Sequence, residues 1–339
     1  MSGSPEDQDA FAERLSAKIA AYHESGLLYA AVTLGLPERL GARAWTADAL
    51  AAELGLSAPP LHRLLRGLTS LGICAERPDG TFALTAQGQC LLPGARLREK
   101  AQIVVAQYWW PWANLAATIE TDKPAFEQVF GQNVADWRRD HAEAGGLFDS
   151  YLAKETLAQA PPIIAALGLS GARIVAEIGG GYGGLLAAIL QAHPGLAGIL
   201  FDRPHRIEAA LPFLQSQGVA GRVKRIGGNP LDAISVEADL YLLNGVLQQS
   251  DDANARAILA NCRKAMPNSA RLAIVERLLP EQAADDPSAI MLDLHMMAIT
   301  GGRVRGFAEL GAFLSEVGLA PVKATRIPSG LSVIEAVPA

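Results

Sequence analysis

The stretch Val175-Ala-Glu-Ile-Gly-Gly-Gly-Tyr-Gly-Gly184 decides how this chain folds. Arg173–Ile178 reads as a strand, and the glycines after it let the backbone take positive φ and approach a ligand closely. An apolar helix over Leu185–Gln191 follows, then a second strand over Gly198–Phe201 that ends at Asp202. A ligand in such a unit lies outside the carboxyl ends of the strands. Asp202 stands 21 residues after Gly181, where a carboxylate can accept hydrogen bonds from ribose hydroxyls.

Toward the C-terminus the alternation continues. Arg222–Ile226, Ala238–Leu243 and Arg271–Glu276 are strand candidates, with a helix over Asn254–Ala265 between the last two. Two β-like runs, Val322–Ile327 and Ser332–Ala336, flank a Pro328-Ser329-Gly330 turn. This pattern predicts an α/β fold with a mostly parallel sheet covered on both faces, to which a hairpin adds antiparallel edge strands.

Toward the N-terminus the texture is helical. Phe11, Leu15, Ile19 and Tyr22, then Leu27, Leu28, Ala31 and Leu34, recur at helical spacing. Thr46 is placed to cap a helix ending near Gly55, and Ser57 to cap a second with Leu61, Leu64, Leu65, Leu68 and Leu71 on one face. Pro78-Asp79-Gly80 then turns into a strand at Thr81–Leu84. Helix, tight turn, helix and hairpin outline a winged helix. Residues 43–100 hold seven Lys/Arg against five Asp/Glu, a net of only +2. That is too weakly basic for a DNA-reading face despite Arg63 and Arg66, and it favours a protein–protein role. Residues 101–165 read as further helices, and Tyr108-Trp109-Trp110-Pro111-Trp112 is a candidate wall for a flat aromatic ligand.

The bulk properties fit this outline. The 339 residues suit two domains, half of them hydrophobic, with a net charge of −6 that gives no footprint for nucleic acid. The three cysteines, Cys74, Cys90 and Cys262, form neither a disulfide framework nor a thiolate metal cluster. The expected compartment is the cytoplasm, with no metal and no membrane partner. The polar, acidic start MSGSPEDQDAFAERL does not read as a signal peptide. The uncharged run from Gly179 to Phe201 is long enough to span a bilayer, but its seven glycines, with Pro194 among them, break it into loop, helix, turn and strand.

Gly179, Gly181 and Gly184 also satisfy the dinucleotide pattern G-x-G-x-x-G. Three features argue against a nicotinamide enzyme. Glu177 precedes the glycines by two residues and suits a ligand bearing a cationic amino group, the loop lies mid-chain, and the sheet ends in a hairpin.

The chain resembles the S-adenosylmethionine-dependent small-molecule O-methyltransferases, near the bacterial antibiotic and pigment enzymes that include the phenazine N-methyltransferase branch. The resemblance covers nearly the whole chain. It rests on Glu177-Ile-Gly-Gly-Gly-Tyr-Gly183, Phe201-Asp-Arg-Pro204, Ala238-Asp-Leu-Tyr-Leu-Leu-Asn244, Asn261-Cys-Arg-Lys-Ala-Met266, Ile274-Val-Glu-Arg277, and Asp293-Leu-His-Met296 running into Gly301-Gly-Arg303. It implies a Rossmann-like class I methyltransferase sheet over 166–339, a winged-helix dimerisation domain over 1–100 and a helical connector over 101–165 that contributes to the substrate pocket. By the same resemblance Glu177, Gly179 and Gly181 face the methionine part of the cofactor, and Asp202 with Arg203 lies at the ribose. Asn229 and Pro230 lie beside the adenine, where the family usually has Asp followed by Phe or Met, and Asn244 contacts the cofactor after the fourth strand. Trp112, Phe148, Tyr151, His295, Met296 and Thr300 fall where the family lines its pocket for a small aromatic or polyketide-like substrate.

One departure bears on mechanism. The family's O-methyltransferases place a His-Asp pair after the fourth strand, and this chain has Val246-Leu-Gln-Gln-Ser-Asp-Asp252, so that Gln248 takes the place of the general base. Glutamine does not exchange a proton near neutral pH. Glu276 matches one carboxylate that flanks the base in plant relatives, and Val304 occupies the other such position. The expected chemistry is methyl transfer to a ring nitrogen or acidic hydroxyl that needs no base, with His295 or Glu276 as alternative bases. Non-methylating catalysis that uses the cofactor as a fixed charge is a second reading, and a metabolite-binding winged-helix regulator a third.

Overall fold

A computed structural model describes residues 5–339, which divide into two compact units, one ending at Trp109 and the other beginning at Trp110. The first four residues of the polar N-terminal stretch lie outside the described residues. Among the described residues no helix is long and apolar enough to cross a membrane.

In the first unit β1 (Trp45–Thr46), β2 (Cys74–Glu76) and β3 (Thr81–Leu84) form a small antiparallel sheet in the order β1-β3-β2. It packs on helices Ala47–Leu54 and Ala58–Ser70 around Leu50, Leu65, Leu68 and Phe82, as the winged-helix outline requires. Thr46 caps its helix by accepting the Ala49 N–H at 3.3 Å. Ser57 takes the N-cap position but its hydroxyl caps nothing. The reason is local: an N-cap oxygen bonds the N–H of the second or third helical residue, and here those are Pro59 and Pro60, which have none. The stripe Phe11, Leu15 and Ile19 on helix Pro5–Ala20, continued by Tyr22 at the start of helix Tyr22–Thr33, is 55–69% exposed, so this unit does not cover it.

The second unit is built on a seven-stranded sheet. Its strands are β4 (Ile174–Ile178), β5 (Ala197–Asp202), β6 (Val223–Gly227), β7 (Leu240–Asn244), β8 (Arg271–Arg277), β9 (Leu319–Arg326) and β10 (Leu331–Pro338), in the order β6-β5-β4-β7-β8-β10-β9. The first five are parallel, and β10 and β9 run antiparallel as the edge hairpin. Alternation along each strand splits the core. Ala176, Ile178, Tyr241, Leu243, Leu272 and Ile274 face helices Asp252–Ala265 and Phe307–Glu316. Val175, Leu240, Leu242, Ala273 and Val275 face helices Ala142–Ala166, Gly184–Ala192 and Pro204–Ser216. The chain winds from β4 outward to β5 and β6, then crosses back to β7. The topological switch point therefore lies between the carboxyl ends of β4 and β7, where ligands bind in sheets of this kind.

Candidate active site

The quoted glycine stretch stands at that switch point. Gly179 and Gly181 have φ of +70° and +57°, which an L side chain rarely adopts. The Gly179 N–H donates to the Phe201 carbonyl at 2.7 Å, which pins the loop to the end of β5. A Cβ on Gly181 would meet nothing nearer than Asp149 Oδ1 at 4.0 Å, so this backbone borders open space. A Cβ on Gly180 would lie 2.7 Å from the carboxyl carbon of Glu177, so the loop rests directly on that side chain.

Glu177 is buried at the end of β4 on the same face as the glycine-loop helix. Its Oε2 accepts the Leu186 N–H at 3.2 Å, one of the orphan donors at that helix start. Burial pushes its pKa up to about 8; the single N–H bond opposes this and the Asp202 charge adds to it. Uncompensated, the group holds its proton at neutral pH, and a cation brought to it would release that proton.

Asp202 is buried at the end of β5. Its Oδ2 accepts the Gly181 N–H at 2.7 Å and its Oδ1 accepts the Arg203 N–H at 2.6 Å. Arg206, one helical turn on, reaches Asp202 Oδ2 at 3.4 Å and holds Asp149 on helix Ala142–Ala166 with two bonds. The Arg203 guanidinium lies 4.0 Å from Asp136. Asn229 bonds within its own turn, accepting the Leu231 N–H and donating to Asp232, while the Pro230 carbonyl accepts from Asn261. Asn244 ends β7, half-buried, beside the positive-φ Gly245.

Some of the residues expected to face the acceptor meet. Trp112 donates its indole N–H to His295 Nδ1 at 3.1 Å, with the rings stacked at 22°. Burial, with the Arg138 charge, lowers the His295 pKa to about 4, so the ring is neutral. The Arg138 guanidinium lies 3.3 Å over the Phe148 ring, so one cation links the His295 and Phe148 walls. Tyr151 lies half-buried three residues along the same helix, and Met296 is buried next to His295. The Thr300 hydroxyl is spent on the helix end, donating to the Met296 carbonyl and accepting the Gly302 N–H. The aromatic run does not act as a group. Trp112 joins His295, Trp109 packs edge-on against Tyr22, and Trp110 is 61% exposed. Successive residues of a helix point about 100° apart, so neighbours in sequence cannot share one wall.

Gln248 lies in the short turn Leu247–Gln249 after β7, which packs against helix Pro287–Ile299, the helix that carries His295. Its N–H donates to Glu276 Oε1 at 3.0 Å, and the Leu247 N–H bonds the same carboxyl. Arg305, fully buried, donates to the Leu247 and Ser250 carbonyls and to Asp252. A Cβ on Gly302 would fall 2.3 Å from the Gln248 carbonyl, so the turn is held from that side too. Within this clamp the Gln248 Oε1 is buried and meets no donor among the described residues. Burial raises the Glu276 pKa to about 7, against the two N–H bonds and the Arg305 charge.

The sequence reading did not single out Asp149, Arg206, Arg138 or Arg305. Arg206 had a visible signal in its spacing of four residues from Asp202. Asp149, 57 residues from its partner, had none.

A mostly parallel sheet with a glycine turn at its switch point and an acidic residue ending the next strand defines a Rossmann-like class I methyltransferase domain, here behind a winged-helix unit. Residues 112–320 match the O-methyltransferase domain model and residues 18–94 the O-methyltransferase dimerisation domain model. The chain belongs to the O-methyltransferase family. It is 34% identical over 94% of its length to phenazine O-methyltransferase PhzM of Lysobacter antibioticus, covering 94% of that protein. The crystal structure of LaPhzM superposes with a TM-score of 0.93 at 33% identity, over 97% of this chain and 99% of that one. The O-methyltransferase NcsB1 of neocarzinostatin biosynthesis, solved with S-adenosylmethionine and 2-hydroxy-5-methyl naphthoic acid, superposes at 0.80 with 28% identity, over 93% of this chain and 96% of that one.

Proposed function

We propose that this protein is an S-adenosylmethionine-dependent methyltransferase of secondary metabolism that methylates a ring nitrogen or an acidic hydroxyl of a small aromatic natural product without a histidine base. The observation that carries the reading is the clamped Gln248 turn, in which the buried side-chain oxygen of Gln248 meets no donor among the described residues.

The residues present fit the cofactor. The Gly181 backbone borders open space that a side chain would fill, a buried protonated carboxyl at Glu177 awaits a cationic amino group, and Asp202 is set for ribose hydroxyls. Asn244 would lie beside it, with Asn229 and Pro230 toward the adenine. When bound, S-adenosylmethionine supplies a methyl group already activated by sulfonium charge, so that transfer to a lone pair depends on orientation more than on proton removal.

The chain's own groups are poorly suited to remove a proton. His295 is a weak base at about 4, and its Nδ1 is engaged by Trp112. Glu276 is sealed behind two backbone N–H groups and works as the clamp of the turn. The reacting atom, a ring-nitrogen lone pair or an already ionised oxygen, then carries no proton to remove, and Gln248 Oε1 accepts a neighbouring N–H or O–H of the acceptor to orient it. Phe148, Tyr151, Trp112 and Met296 supply the flat apolar walls.

The working form is a homodimer. The dimerisation-domain match and the uncovered stripe Phe11, Leu15, Ile19 and Tyr22 support this.

The test incubates the protein with methyl-labelled S-adenosylmethionine and a panel of aromatic hydroxyl and ring-nitrogen acceptors. Label is expected in the product. Turnover that requires the cofactor and leaves it unconsumed would overturn methyl transfer and favour non-methylating catalysis.

A further inference from the structure

The guanidinium of Arg206 joins two carboxylates that belong to different sides of the site. One edge holds Asp149, with Nε donating to Oδ2 at 3.2 Å and Nη2 donating to Oδ1. The other nitrogen, Nη1, donates to Asp202 Oδ2 at 3.4 Å, and that same oxygen accepts the Gly181 N–H at 2.7 Å. A continuous polar chain thus runs from the glycine loop through Asp202 and Arg206 to the middle of helix Ala142–Ala166. Phe148 precedes Asp149 on that helix and Tyr151 follows two residues later.

Two observations separate this bridge from a surface ion pair. Arg206 and Asp149 are largely buried, with side chains 23% and 10% exposed, so the charges are weakly screened. The bridge also acts on a helix that has little freedom elsewhere. A Cβ on Gly184 would fall 2.7 Å from the Ala153 carbonyl, which shows how closely helix Ala142–Ala166 meets the start of the glycine-loop helix. Ala160, Ile163 and Ala166 anchor the C-terminal half of that helix in the core, and the bridge ties down its N-terminal half, where Phe148 and Tyr151 lie. Arginine suits this task because its planar fork presents donors along two edges, whereas a lysine ammonium is a single point.

We propose that Arg206 is a positioning residue that ties the acceptor-side helix, through Asp149, to the Asp202 carboxylate and the Gly181 amide, so that filling the cofactor side stiffens the acceptor side. This rests on the cofactor reading given above. Removing the guanidinium leaves Asp202 and Asp149 facing each other without a cation and frees the helix at that point. Removing only the Asp149 charge leaves Arg206 on Asp202 and cuts the tie to the helix.

Binding of S-adenosylhomocysteine by calorimetry, with amide hydrogen exchange in the same samples, tests this without requiring turnover. In the unaltered protein the ligand is expected to slow exchange both in 179–186 and in 145–153. Arg206→Met is expected to weaken binding by about tenfold or more and Arg206→Lys by less, since a lysine reaches only one carboxylate. At saturating ligand Arg206→Met keeps protection in 179–186 and loses it in 145–153. Asp149→Asn is expected to bind within about threefold of the unaltered protein and to lose the same protection in 145–153, a split that a purely structural ion pair would not produce. If Arg206→Met does not fold, Asp149→Asn carries the test. Unaltered affinity in Arg206→Met, or retained protection over 145–153 in Asp149→Asn, would overturn the proposal. No binding by the unaltered protein would instead overturn the cofactor reading, and this inference with it.

Discussion

Glu177 at the end of β4 and Glu276 near the end of β8 are buried almost equally, at 1% and 2% exposure, and burial raises the pKa of both. Their surroundings differ. Glu276 takes two backbone N–H bonds from the Gln248 turn and lies within the field of Arg305, so its charge is accounted for inside the protein. Glu177 takes one N–H, faces the added charge of Asp202, and has a glycine loop laid over it. Burial alone does not mark a functional acid. On the proposed reading the under-compensated one, under the glycine loop, receives the ligand's cation, and the fully bonded one holds a turn in place.

The sharpest way to break this comparison is at the open space itself. Gly181→Val puts a branched side chain at φ +57° into the cofactor approach. S-adenosylhomocysteine binding is expected to fall by more than about a hundredfold, and unchanged affinity would remove the ligand from the Glu177 side.

The next effect concerns the proton. Bringing an amino cation to Glu177 expels its proton, so binding at pH 7 is expected to release up to about one proton and to tighten as pH rises toward about 8. Calorimetry in buffers of different ionisation enthalpy measures this, and Glu177→Gln is expected to abolish the release. The unliganded protein carries the opposite trend. A carboxyl whose folded pKa is about 8 against an ordinary 4.5 makes the native state bind more protons than the unfolded one in that window. Its contribution to stability therefore falls as pH rises through it, which thermal melts at a series of pH values would show.

For Glu276 the expected loss is of stability. Glu276→Ala leaves the Gln248 and Leu247 N–H groups without their acceptor, while Arg305 keeps its pair with Asp252, and is expected to cost about 2–3 kcal/mol in denaturant unfolding. If it lowered the reaction rate with stability intact, Glu276 would be a base and the contrast would fail. The smallest effect is expected at Gln248→Ala, a drop in kcat/KM of less than about tenfold, the size of one neutral hydrogen bond. A loss beyond about a thousandfold would assign Gln248 an essential chemical role.

Much of the second unit was legible because its signals are local. β4 and β5 end within a residue of where strand patterning placed them, and the glycines, Glu177 and Asp202 were findable by spacing along one chain segment. What was not legible depends on partners far apart in sequence. Arg305 meets Leu247 across 58 positions, and its neighbour Val304 drew attention instead because motif comparison looks position by position. Ser57 shows the converse: its position was right and its chemistry absent, since the two prolines after it had already removed the donors a cap would serve. Trp110 was grouped with Trp112 by adjacency, which a helix undoes.

The crowded glycines carry a consequence for how this sequence can change over generations. At Gly180, Gly184 and Gly302 the difficulty is space, because any larger residue would meet the Glu177 carboxyl, the Ala153 backbone or the Gln248 backbone respectively. Backbone does not repack as side chains do, so compensating substitutions nearby are not on offer for the last two. In a library of all single substitutions, those two positions would tolerate as little as the turn glycines do, and the pocket walls around them would be free to vary. On the proposed reading, lineages that exchange one acceptor for another would redraw Phe148, Tyr151 and Met296 while these glycines stay fixed.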